Sequence, residues 1–167
     1  MTAGTPVVVV GYDGSETARA AVTHAVTMAR GGRVVIVHAH HEPPPHLTSR
    51  WRELLTADHP EQGRAVLDAI LLEGNDELAD AEWEGRLAPG APAEAIVAVA
   101  GEVDADAIVV GSRGYGSLSA MLGSVSHELL RISPLPVTVI GPRCAELRAA
   151  SARGRAGDAA GGQRPGR

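Results

Sequence analysis

Four short runs of β-branched and apolar residues constrain the fold of this chain most tightly: Val7-Val8-Val9-Val10, Val34-Val35-Ile36-Val37, Ala107-Ile108-Val109-Val110 and Val137-Thr138-Val139-Ile140. None shows the apolar–polar alternation of a strand with one wet face. Each therefore needs cover on both sides, which is the situation of strands inside a parallel sheet flanked by helices. Composition agrees, since Phe is absent and aromatic residues make up 2% of the chain, leaving Val, Ile, Leu and Ala to fill the core.

The segments between these runs carry helical periodicity. After the first, Ala18, Val22, Ala25 and Ala29 recur on one face, with Ser15 placed to cap the helix and Arg30-Gly31 to end it. A second helix starts near Pro60 and carries Val66, Leu67, Ile70 and Leu71 until Gly74-Asn75-Asp76 breaks it. A third runs from Pro92 through Ala100 and a fourth from Ser124 to Ile132. Between Glu82 and Leu87 the period changes to two, with Trp83, Gly85 and Leu87 on one side, so an edge strand is expected there. The prolines of His41-Glu42-Pro43-Pro44-Pro45 place the start of a loop near Ala39. Strict alternation with short connections requires right-handed crossovers. The expectation is a single α/β domain, doubly wound, with a five-stranded and mainly parallel sheet.

Charge narrows the function. The 167 residues carry a net charge of −5, but residues 148–167 hold five Arg against one Asp, so the rest of the chain is near −9. An acidic body does not attract a phosphate backbone, which argues against nucleic-acid binding. The only cysteine, Cys144, excludes an internal disulfide. No stretch approaches the length of a membrane span, and the chain enters its first strand without a basic leader or cleavage signal. These features point to a cytoplasmic protein with no membrane partner. The Ala-, Gly- and Arg-rich residues 146–167 have too few large apolar side chains to pack and are expected to form a disordered tail outside a domain spanning 1–145.

In doubly wound sheets, ligands lie beyond the carboxyl ends of the strands where the strand order reverses. That directs attention to Gly11-Tyr12-Asp13-Gly14 and to the glycine-rich residues 111–126. Glycines after a buried strand let backbone approach a ligand, and the amides that open the next helix suit phosphate. The loop is not a lysine-containing P-loop, because the chain contains no lysine at all. A turn that merely packs is the competing reading. His38 and His40, two apart on one strand, have a spacing open to a metal, but no carboxylate is matched to them. Ser124 and Ser126 lack an adjacent base placed to make either a nucleophile.

Tyr12-Asp13-Gly14-Ser15-Glu16-Thr17-Ala18, Val37-His38-Ala39 and residues 106–126 together resemble the universal stress protein family, in matching order from Val7 to Pro142. The last of these is similar to the Gly-x2-Gly-x9-Gly-Ser/Thr motif of the ATP-binding branch. Here Gly114 and Gly123 enclose eight residues rather than nine, a deletion to be absorbed at Gly116 or passed on to the second half of the loop. The resemblance implies a Rossmann-like sheet of strand order 3-2-1-4-5 and a site for ATP. Asp13 and Gly111, with Val110 behind it, would lie at the ribose, and the backbone of Ala39 at the adenine. Gly114, Gly123, Ser124, Val125 and Ser126 would hold the phosphates, with Mg²⁺ or Mn²⁺ on the phosphate oxygens. Arg113, inside the loop, either neutralises phosphate charge in place of the missing lysine or is simply solvated. The resemblance also implies a homodimer through residues 137–140 and a regulator of the stress response with at most slow ATP hydrolysis. A dimeric adaptor that binds no nucleotide and an ATP-using nucleotidyl-transfer enzyme are the alternatives.

Overall fold

The computed structural model describes residues 5–40, 59–72, 78, 81–112, 122–147 and 150. Five strands and four helices alternate: β1 (Val7–Gly11), α1 (Glu16–Ala29), β2 (Arg33–His40), α2 (His59–Leu72), β3 (Glu82–Pro89), α3 (Pro92–Glu102), β4 (Ala107–Gly111), α4 (Ser124–Ile132) and β5 (Val137–Ile140). The strands form one sheet in the order β3-β2-β1-β4-β5. Every pairing in it is parallel.

The apolar runs are buried as their composition requires. Val8, Val9 and Val10 are at most 2% exposed, and each such side chain contributes about 1.5–3 kcal/mol relative to an exposed one. Their neighbours alternate between the two faces of the sheet. Val8 and Val10 join Val34, Ile36 and Val109 under α1 and α2, whereas Val9 joins Val35, Ile108 and Val110 under α3 and α4. Between β1 and β4 the chain switches direction across the sheet, and the ladder there pairs Val10 with Val109 and Gly11 with Val110.

The local signals read in the sequence account for the boundaries of α1. Ser15 Oγ accepts the amide of Ala18 at 3.2 Å, and Arg30 ends the helix in the left-handed region. In β3, Trp83 packs on the α1–α2 side and Gly85 faces Leu67, as the period of two requires. Two strands run further than expected. β2 reaches His40 and β3 reaches Pro89 because the two pair to their ends, where His40 stands opposite Pro89 and the Gly90 amide donates to the His40 carbonyl at 3.0 Å. The chain also continues past β5 into helical residues 142–147, which bury Ala145 and set Cys144 against the α1–α2 core. The expected loop after β2, residues 41–58, the break at Gly74–Asp76, and residues 151–167 of the tail lie outside the described residues.

Candidate functional site

The carboxyl ends of β1, β2 and β4 and the first turns of α3 and α4 enclose a cleft of about 250 Å³. It opens at the strand-order reversal, where such folds leave room because neighbouring connections depart to opposite faces. Eight of the residues singled out in the sequence line it: Asp13 and Ala39, Val110 and Gly111, and the consecutive run Gly123, Ser124, Val125 and Ser126. Arg113 and Gly114 lie outside the described residues.

One wall is the turn after β1. Gly14 has φ +80°, a conformation that closes the turn and that other residues rarely adopt. Exposed Asp13 accepts the Ser15 amide on Oδ1 at 3.0 Å, which orients its carboxylate beside the start of α1. Two bonds fix this turn to β2: the Tyr12 amide donates to the Val37 carbonyl at 2.9 Å, and His38 Nδ1 lies 2.8 Å from the Tyr12 carbonyl. A carbonyl only accepts, so Nδ1 carries the proton, and the ring acts as a brace between β2 and the turn. Among the described residues no three His, Cys, Asp or Glu side chains gather in a way that could hold a metal ion.

The opposite wall is the exit of β4 and the start of α4. At Gly111 an added Cβ would stand 2.5 Å from Thr17 Oγ1 and 3.0 Å from the Ala18 amide nitrogen, so only glycine lets β4 approach α1 this closely. The next residue extends the ladder, with the Ser112 amide donating to the Ile140 carbonyl at 2.8 Å. Its own carbonyl accepts the Gly123 amide at 2.7 Å, which ties the two ends of the glycine-rich segment together. The start of α4 is thus anchored to the end of β4 at a neck. Ser112 Oγ is buried and has no hydrogen-bond partner among the described residues.

The N-cap of α4 is Gly123, which offers no side chain to the helix end, and the first helical bond runs from the His127 amide to the Gly123 carbonyl at 2.9 Å. The amides of Ser124, Val125 and Ser126 precede that bond and have no partner inside the helix. They line the cleft with the positive end of the helix dipole. Ser126 adds a side-chain bond of its own. Its side chain is 1% exposed and its hydroxyl donates to the Gly123 carbonyl at 3.0 Å, so what it can offer a ligand is its amide. Further along α4, a hydrogen bond from Arg131 holds the Glu128 carboxyl below the ordinary glutamate range, on the solvent side of the helix.

Between these polar walls the cleft is apolar. Val37, Pro92, Ile96 and Val110 supply it, and Asp13 is the single acidic residue among those described at the site. Pro92 and Ile96 were read in the sequence only as parts of a packing helix. The signal available was their spacing of four with proline at the first position, which puts both on one face at the helix mouth. The cleft can therefore accept a flat apolar group against one side and an anion against the other.

Comparison with known proteins agrees with this architecture. A universal stress protein of Thermus aquaticus is 34% identical over 137 residues, covering 80% of this chain and 96% of that protein. A solved universal stress protein in complex with cAMP is 32% identical, with a TM-score of 0.58 over 81% of this chain and 96% of its own. The structure of the Archaeoglobus fulgidus universal stress protein in complex with dAMP is 27% identical, with a TM-score of 0.50 over 81% of this chain and 97% of its own. The model of the universal stress protein family matches residues 5–141, across the whole sheet and every helix around the cleft, and this chain belongs to that family.

Proposed function

We propose that the protein binds ATP in the cleft and works as a nucleotide-dependent regulator of a stress response. The observation that carries this reading is the meeting, at one strand-order reversal, of the uncapped start of α4 with an apolar wall and an oriented carboxylate. Amides at a helix start suit phosphate, a preformed apolar slot suits a base, and a single carboxylate suits the hydroxyls of a ribose. Two similar solved proteins described as complexes with cAMP and with dAMP support adenine as the base. The residues described fit the group: Val37, Pro92 and Ile96 flank the adenine near the backbone of Ala39, Asp13 and Gly111 face the ribose, and the Ser124, Val125 and Ser126 amides hold the phosphates. Mg²⁺ or Mn²⁺ would neutralise phosphate charge that the lysine-free chain does not.

Slow hydrolysis at most is expected. His38 directs its Nδ1 proton to a backbone carbonyl, and Asp13 engages a backbone amide. In this proposal the protein is cytoplasmic and pairs through β5, whose outer edge faces no other strand of the described sheet. Among the described residues no helix is long and apolar enough to cross a membrane.

The test is mass spectrometry of small molecules that co-purify with the full chain, together with calorimetric titration with ATP and Mg²⁺. Retained adenine nucleotide or saturable binding of ATP supports the reading. Neither being found replaces it with the nucleotide-free adaptor, and stoichiometric release of pyrophosphate would replace it with a transferase.

A further inference from the structure

Ser112 stands out because its hydroxyl is buried and, among the described residues, has no hydrogen-bond partner. A buried hydroxyl without a partner destabilises a fold, so an alanine would serve the unliganded protein as well or better. Its surroundings show where a partner would come from. Ile108 and Val110 face the α3–α4 side of the sheet, and the ladder continues through the Ser112 amide, so alternation carries the Ser112 side chain to that same side, where the cleft runs. The Ser112 carbonyl binds the Gly123 amide and lies 3.4 Å from the Ser126 hydroxyl, which places the residue directly beside the open first turn of α4. The other buried hydroxyl of that turn, Ser126 Oγ, is already committed to a backbone carbonyl.

Resting on the nucleotide-binding reading above, we infer that the Ser112 hydroxyl is a phosphate-recognising group of the cleft, donating to a phosphate oxygen held by the α4 amides. Rotation about the single χ1 bond, between staggered wells, presents the hydroxyl to the cleft. A group among amide donors is matched to an anion, because a hydroxyl supplies a fourth proton to an acceptor of several lone pairs. The consequence is selectivity: Ser112 favours phosphorylated adenylates over the uncharged nucleoside, while contributing nothing to the base.

The experiment compares wild type with Ser112→Ala, as full chains, by calorimetric titration with AMP and with adenosine and by thermal unfolding without ligand. For Ser112→Ala the expected result is an AMP affinity about tenfold weaker, an unchanged adenosine affinity, and an unliganded midpoint equal to wild type or a few degrees higher. Equal loss for AMP and adenosine, no loss for AMP, or a lowered unliganded midpoint overturns the assignment and leaves the proposed function standing. Wild type that binds neither compound overturns the assignment, and wild type that also fails to bind ATP with Mg²⁺ overturns the proposed function with it.

Discussion

At Gly111 the chain leaves β4 so close to α1 that a Cβ would sit 2.5 Å from Thr17 Oγ1 and 3.0 Å from both the Thr17 carbonyl carbon and the Ala18 nitrogen. Two of these contacts are backbone, which cannot swing aside, so Gly111→Ala must push the first turn of α1 outward. Overpacking of this kind costs about 1–3 kcal/mol, and a thermal midpoint about 4–8 °C below wild type is expected by circular dichroism. An unchanged midpoint would mean that the approach of β4 to α1 is not needed. The sequence made this glycine conspicuous by its place after a buried strand, but the atoms that require it lie almost a hundred residues earlier in the chain. Ser126 shows the reverse. Its place at a helix start is a local signal, and the acceptor for its hydroxyl is local too, the carbonyl of its own N-cap.

Among the elements, α4 was legible to the residue, from Ser124 to Ile132, because its apolar period and the glycine before it are both local signals. What the helix does at the site depends on its amides, and one of them can be removed cleanly. Proline is tolerated at the first helical position, and Gly123 already has φ −66° and ψ 158°, the backbone that a following proline favours. Ser124→Pro is therefore expected to leave the unliganded midpoint within about 1 °C and to weaken ATP binding roughly tenfold or more, the scale of one hydrogen bond to a charged group. Titration calorimetry beside thermal unfolding checks it; full affinity in a folded variant would remove the Ser124 amide from the phosphate site. The ends of β2 and β3 were less legible, since the prolines after His41 placed a loop near Ala39 and the period of two extended only from Glu82 to Leu87. Mutual pairing from Arg33–Glu82 to His40–Pro89 overrides those local signals.

For the whole molecule, the sheet order β3-β2-β1-β4-β5 leaves β5 as an edge, with Val137 and Val139 only partly buried against the α3–α4 core. The Ile108 amide binds the Pro136 carbonyl and the Ser112 amide binds the Ile140 carbonyl, so residues 136, 138 and 140 point their backbone groups at β4. Those of Val137 and Val139 point outward, available to a second copy. Val139→Pro removes an outward donor and keeps the β4 ladder. In the proposed homodimer this variant is expected to shift the mass measured by light scattering from dimer to monomer with its far-ultraviolet spectrum unchanged; a dimer that persists would place the interface elsewhere. By itself the sequence determined the fold class, the order of elements and the two segments that meet at the strand-order reversal, because doubly covered strands, helical periods and glycine punctuation are properties of neighbouring residues. Only the tertiary structure decided that Pro92 and Ile96 close the cleft, that Ser112 and Gly123 form a neck, and that one hydroxyl is spent inside the fold while another has no partner among the described residues. Those outcomes rest on distances between residues far apart in the chain, and no local pattern encodes them.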